Sequence, residues 1–199
     1  MQKNHGLPVV IPEWFAKMNS MPDDPPLSVP YGYETENAGC FVMIQPIQLE
    51  QAMPFEHPEA VVDGIHHALG DNQGLIDVKT GKTNASRNYI YSIVKTLNEP
   101  SGVQYCLTMH LDFQDYAVQV QGFFDELGTT GVRDAIVYAL TRGERTGDPL
   151  NGWVQDPFDP GFTHGVPMNR SENEKYDAQF PAHPLSELRK FLSVLVESN

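Results

Sequence analysis

Asp156, Asp159 and His164 are the residues whose types and spacing could do chemistry. They sit in or beside the stretch Trp153-Val154-Gln155-Asp156-Pro157-Phe158-Asp159-Pro160-Gly161-Phe162. Two carboxylates and an imidazole converging on one pocket would suit a small hydrolase or isomerase that moves protons. The alternating oxygen ligands of a calcium loop are missing, and aspartate before proline is common turn chemistry. The same stretch carries Trp153, Phe158 and Phe162, with Tyr176 and Phe180 downstream. Aromatic side chains in a long loop either pin it to the sheet or line the groove of a polypeptide partner. Trp153, Phe158 and Phe162 are therefore the candidate partner surface.

Other motifs carry less. Thr80-Gly81-Lys82-Thr83 ends like a phosphate loop, yet that pattern needs a glycine at position 76, which is Ile76, and a helix directly after it. Gly128-Thr129-Thr130-Gly131 reads as a helix cap, with Thr129 or Thr130 as the capping side chain. Of the seven histidines, the adjacent His66 and His67 point about 100° apart on a helix, and no pair has the i, i+4 spacing of a zinc site. His110 falls on the polar side of a strand, where a hydrogen-bonded sheet histidine is expected. Cys106 sits mid-strand among acids rather than bases, a poor setting for a thiolate nucleophile. These readings assign no catalytic residue, no cofactor and no metal.

Those residues must be positioned by a sheet. Val103, Tyr105, Leu107, Met109, Leu111 and Phe113 occupy every second position, and the alternation restarts at Tyr116, Val118, Val120, Gly122 and Phe124. Successive strand side chains point to opposite faces, so two half-buried strands joined by a tight turn are expected. Strands near 75–83 and 88–98 precede them, which makes a four-strand antiparallel meander. Cys40-Phe41-Val42-Met43-Ile44 reads as a further strand running to Leu49, with Pro46 marking an edge or a bulge.

Three apolar stripes predict helices: Val61, Val62, Ile65 and Leu69 for 58–69, Val132, Ile136, Val137 and Leu140 for 129–142, and Leu185, Leu188, Leu192 and Leu195 for 184–198. The fold class is α+β, a twisted antiparallel sheet with helices packed on its faces, an α/β/α sandwich. One domain is expected over 1–199. It opens with a proline-rich arm at 1–38, carrying a helical turn at Glu13 to Met18 and Trp14 as a packing anchor. Sheet and helices follow at 39–142, then a long covering loop at 143–183 and the last helix at 184–198.

The 199 residues carry 13 basic and 26 acidic side chains, a formal charge of −13 spread over both halves. Such a surface repels phosphate backbones and anionic lipid heads, which argues against nucleic acid and membrane as partners. No apolar run is long enough to span a bilayer, and the first residues lack a signal-peptide core. Cys40 and Cys106, each inside a strand pattern, suit reduced thiols in a cytoplasm better than a disulfide frame.

The order of these elements resembles the PsbP-like superfamily: an early strand, a helix, a run of antiparallel strands, Gly128-Thr129-Thr130-Gly131-Val132-Arg133-Asp134 into a helix, then a C-terminal helix. The passage Gln121-Gly122-Phe123-Phe124 into the second helix belongs to the same likeness, which covers residues 39 to 142 and the last helix. The resemblance implies an α/β/α sandwich with a binding or accessory role and brings no catalytic motif with it. Three function classes follow. The first is a non-enzymatic cytoplasmic protein that recognises a polypeptide. The second is the hydrolase or isomerase above. The third is a structural homo-oligomer that pairs through an edge strand such as 39–49.

Overall fold

The computed structural model describes residues 2–3, 7–144 and 152–199. Nine strands occur among them: β1 Gln2–Lys3, β2 Val10–Ile11, β3 Ala16–Lys17, β4 Val29–Glu34, β5 Ala38–Ile47, β6 Gln73–Lys82, β7 Asn88–Leu97, β8 Val103–Asp112 and β9 Ala117–Glu126. The helices are α1 Pro58–Ala68, α2 Val132–Leu140 and α3 Pro184–Ser198. β1 and β2 pair with each other, and the other strands form one antiparallel sheet in the order β3-β4-β5-β9-β8-β7-β6. This is an α+β fold, and β6 to β9 are the expected meander.

One face of the sheet is a continuous core. Val42, Ile44, Leu107, Met109, Val120 and Phe124 are buried there against Leu185, Leu188, Phe191 and Leu195 of α3. Leu185, Leu188, Leu192 and Leu195 fall on one side of that helix, so its whole apolar stripe is spent on the sheet. α1 covers part of the opposite face, where Val61 and Val62 pack on Leu75, Val78 and Ile90.

The proline-rich start contributes more than an arm. β4 lies within it and pairs with β5 from Val29↔Ile44 to Glu34↔Gly39. Glu13 to Met18 holds no helical turn; it contains β3, and Phe15 is the residue that anchors it, its ring centroid 4.9 Å from that of Phe191. Trp14 stays 37% exposed, with Lys190 Nζ 4.8 Å from its ring centroid.

The edge-strand expectation for 39–49 is overturned. β5 is an interior strand, bonded to β4 on one side and to β9 on the other. Its pairing with β4 ends at Ile44, so Pro46, which has no N–H to give, falls where that neighbour has left the ladder.

The helix expected at 129–142 begins at Val132, and no threonine caps it. Gly131 takes φ +73° and gives its N–H to Glu126 Oε1 at 2.7 Å. Of its expected apolar stripe only Val137 turns inward, where it packs with Trp153 and Tyr176. Arg133 and Val137 are buried, whereas Val132, Ile136 and Leu140 are 42, 43 and 66% exposed.

Residues 152–183 hold a bridge, Val154↔Asn169, and two 3-10 turns at Arg170–Glu172 and Glu174–Tyr176. They run from the edge of β6 to the α3 face. At that edge the Val166 N–H bonds Gln73 O at 2.8 Å, and a Cβ on Gly74 would lie 1.8 Å from Val166 O, so only glycine admits the approach.

Candidate functional site

The sheet face carrying α1 is covered only over β6 and β7. Beyond it, β8, β9 and β5 present Phe41, Met43, Gln45, Gln104, Cys106, Thr108, Gln119, Gln121 and Phe123, all half-buried, with no charged side chain among them. Strand register sets them in rows: Phe41, Phe123 and Cys106 in one, Met43, Gln121 and Thr108 in the next. The Phe41 and Phe123 rings lie 6.3 Å apart. Gln45 Nε2 donates to Gln119 Oε1 at 2.6 Å, and Thr108 Oγ1 to Gln121 Oε1 at 3.1 Å, so the amides and hydroxyl satisfy one another across strands. An open face of an antiparallel sheet is ordinarily polar and often charged. This one has a single acid, Asp125, which takes Gln104 Nε2 at 2.9 Å at its end, and otherwise carries amides, two phenylalanines and a methionine.

At one end the face deepens into a broad depression between Met18, Gly32, Phe41, Glu34 and Asp125. A Cβ at Gly32 would lie 2.7 Å from the Met18 sulfur, so a side chain there would push the Met18 side chain aside. At the other end His110 closes the face. Its Nδ1 accepts the Met53 N–H at 2.8 Å, which leaves the proton on Nε2, and that atom is buried without a hydrogen-bond partner among the described residues. This is the hydrogen-bonded sheet histidine expected from its place on the strand. Burial lowers its pKa to about 4.

A pH dependence follows. Above about pH 6.5 the imidazole is neutral folded and unfolded. Below that value the unfolded chain binds a proton that the native site refuses until about pH 4. Stability therefore falls as pH drops from 6.5 to 4, by about 3 kcal/mol from this group. His110→Gln keeps an acceptor for Met53 and does not titrate. Its urea midpoint is expected to fall distinctly less than the parent's between pH 7 and pH 4.

Cys106 lies in the first row, and burial, then Asp125, pushes its thiol up to about 11, far from an activated nucleophile. Cys40 points to the opposite face of the sheet, and both cysteines are free.

The stretch singled out for chemistry is distributed rather than convergent. Asp156 is buried; its Oδ1 takes the N–H groups of Phe158 and Asp159 at 2.9 Å each, and its Oδ2 meets His66 Nε2 at 3.0 Å. Asp159 takes the Gly161 N–H at 2.8 Å. His164 Nε2 bonds Leu69 O at 2.9 Å. Each of the three is engaged in fixing the loop, and the histidine that reaches Asp156 is His66. Trp153 is buried edge-on against Tyr138, 5.0 Å between centroids. Phe162 stacks on the His66 ring at 3.9 Å, and Phe158 is 41% exposed. Among the described residues no helix is long and apolar enough to cross a membrane.

Phe41, Met43 and Phe123 were missed as surface residues because each stands in a strand whose neighbours are core. The available signal was parity: once β5 and β9 pair, odd-numbered positions of both share the face of Cys106 and Thr108.

No family model matches the chain. No curated protein matches it. Among solved structures it is similar to the Ran-binding protein Mog1p of Saccharomyces cerevisiae, at 9% identity over 96% of this chain and 90% of that one, TM-score 0.42. It is similar to PA94 of Pseudomonas aeruginosa, a protein of unknown function and putative regulator, at 9% identity over 68% and 96%, TM-score 0.39. It is similar to cyanobacterial PsbP from Synechocystis sp. PCC 6803, at 15% identity over 67% and 80%, TM-score 0.37.

Proposed function

We propose that this chain is a non-enzymatic accessory protein that binds a polypeptide across the open half of its sheet, over β5, β9 and β8. One observation carries the reading: Phe41, Met43, Cys106 and Phe123 occupy the half of the α1 face that no described helix covers, framed by amides that can bond a partner's backbone. Large apolar side chains clustered on an uncovered face mark interaction surfaces. Gln45, Gln119, Gln121 and Thr108 already pair with one another, so a partner can exchange these bonds without stranding buried polar groups. The proposed setting is the cytoplasm, in keeping with two free cysteines on opposite faces of the sheet.

The test is photocrosslinking in the native cell with a benzoylphenylalanine placed at Phe123 and, as control, at exposed Met21. The expected result is a discrete protein adduct at Phe123 alone. With that adduct purified, Phe41→Asp is expected to weaken its binding at least about tenfold while leaving the thermal midpoint near that of the parent. The same smear at both positions, or full binding by Phe41→Asp, overturns the reading.

A further inference from the structure

Lysine and arginine are absent from residues 18–78 and 96–132, about half of the chain, although the sequence holds 13 of them. Those two spans supply β4, β5, β8 and β9, so the strands of the open sheet face contain no cation. They do contain acids. Glu34, Gly39 and Asp125 stand directly opposite one another on β4, β5 and β9. Directly opposed residues share a face, which puts both carboxylates on the open one, their Cα atoms about 10 Å apart. Gly39 has no side chain to fill the gap between them, and Leu127 Cδ1, 3.4 Å from where its Cβ would stand, closes the far end.

Both acids line the depression with Met18, Gly32 and Phe41, and no lysine or arginine does. Asp125 Oδ1 takes Gln104 Nε2 at 2.9 Å, Glu34 is exposed, and neither has an ion-pair partner among the described residues. Bases on neighbouring elements are directed elsewhere. Lys17 stands opposite Tyr31, a residue of the α3 core, and Lys190 lies on α3 over the Trp14 ring. The next row, about 7 Å along the strands, holds Phe41 and Phe123, and the one after it Met43. A basic side chain fits this order. Its methylene stem lies on Met18 and Phe41 while its cationic head reaches the two carboxylates. An acidic side chain at the same place would meet like charge from both sides.

We propose that the polypeptide bound on the open sheet face places a basic side chain in the depression between Glu34 and Asp125. Its apolar side chains then lie over Phe41, Phe123 and Met43. This names the partner's chemistry at one end of the face, and it rests on the binding of a polypeptide there.

The test selects displayed random dodecapeptides on the full chain and asks which of them lose binding to Phe41→Asp. Those are expected to carry arginine or lysine beside apolar residues. By fluorescence anisotropy, Glu34→Gln combined with Asp125→Asn is expected to weaken such a peptide at least about tenfold, and added salt to narrow the difference. Asparagine keeps an acceptor for Gln104, so the thermal midpoint is expected near that of the parent. Asp71→Asn combined with Asp115→Asn removes the same charge from exposed positions elsewhere and is expected to leave binding near the parent's. Equal weakening by that pair overturns the inference in favour of attraction by overall charge. Phe41-dependent peptides without a basic residue, or full binding by the Glu34→Gln, Asp125→Asn chain, overturn it too, and either result leaves the polypeptide face standing. If no selected peptide depends on Phe41, the face does not bind polypeptide and both readings fall.

Discussion

Glu172→Gln is expected to cost about 3–5 kcal/mol of folding stability, the range for breaking a buried ion pair from one side. Glu172 and Lys95 are both buried, and Lys95 Nζ sits 2.7 Å from Glu172 Oε2. The carboxylate also accepts from Tyr105 Oη at 3.0 Å and from the Asn169 N–H at 2.6 Å. Burial first, then Glu172, raises the Tyr105 hydroxyl well above the usual phenol range, so it serves as a donor at any physiological pH. Glutamine keeps the shape and an acceptor but leaves the Lys95 ammonium uncompensated at the sheet surface. Lys95→Met added to Glu172→Gln removes the stranded charge, and the double variant is expected to recover a large part of the loss. Urea unfolding of the four species in a double-mutant cycle gives the coupling directly. A single-variant loss under about 1 kcal/mol would show the pair to be solvated, as surface pairs are.

The same pair shows where reading the sequence runs out. Alternation in 103–112 and 117–126 located β8 and β9 because a half-buried strand writes its faces into residue parity, and α3 was equally plain from Leu185, Leu188, Leu192 and Leu195. β4 was hidden because Pro30 and Gly32, both poor strand formers, alternate with Tyr31 and Tyr33. Pro30 is tolerated there because β3 is only two residues long and leaves most of that edge unbonded. Lys95 looked like a polar strand position; its partner lies 77 residues away, and no local pattern predicts a buried charge whose counter-charge arrives from a loop. The candidate site was half legible. Gln104, Cys106, Thr108 and His110 alternate with core residues along one strand, but Phe41 and Phe123 join them only after three strands are set side by side. α2 failed for the opposite reason. Its apolar period is real, yet periodicity does not say which of its residues meet the protein: Arg133 and Val137 turn inward together, and Val132, Ile136 and Leu140 are left outside.

That arginine yields the second large effect. Arg133 is 1% exposed, and its fork is distributed over elements 38 to 53 residues away. Nε donates to Ser171 O at 2.7 Å, Nη1 to Ser186 Oγ at 2.9 Å, and Nη2 to Asp177 Oδ1 at 2.9 Å and Asn173 O at 3.2 Å. Arg133→Met is expected to destabilise by about 3–5 kcal/mol, and Arg133→Lys by nearly as much, because an ammonium cannot span the bonding directions of the guanidinium. Asp177 keeps Arg189 at 3.1 Å in either variant, so the stranded groups are chiefly the carbonyls of Ser171 and Asn173. The damage should therefore be local. α2 and residues 170–177 are held to each other through Arg133, through Asp134, which bonds Ser171 and Asn169, and through Val137 packed with Tyr176, whereas β8 and β9 rest on the α3 core. Hydrogen exchange is expected to accelerate in α2 and 170–177 while the amides of β8 and β9 stay protected, the pattern of a unit that opens on its own. Uniform acceleration across the sheet would mean that α2 and the sheet form one cooperative unit. Rescue by Arg133→Lys would reduce the network to a single charge contact with Asp177, and α2 would then have no polar reason to turn its apolar stripe to solvent.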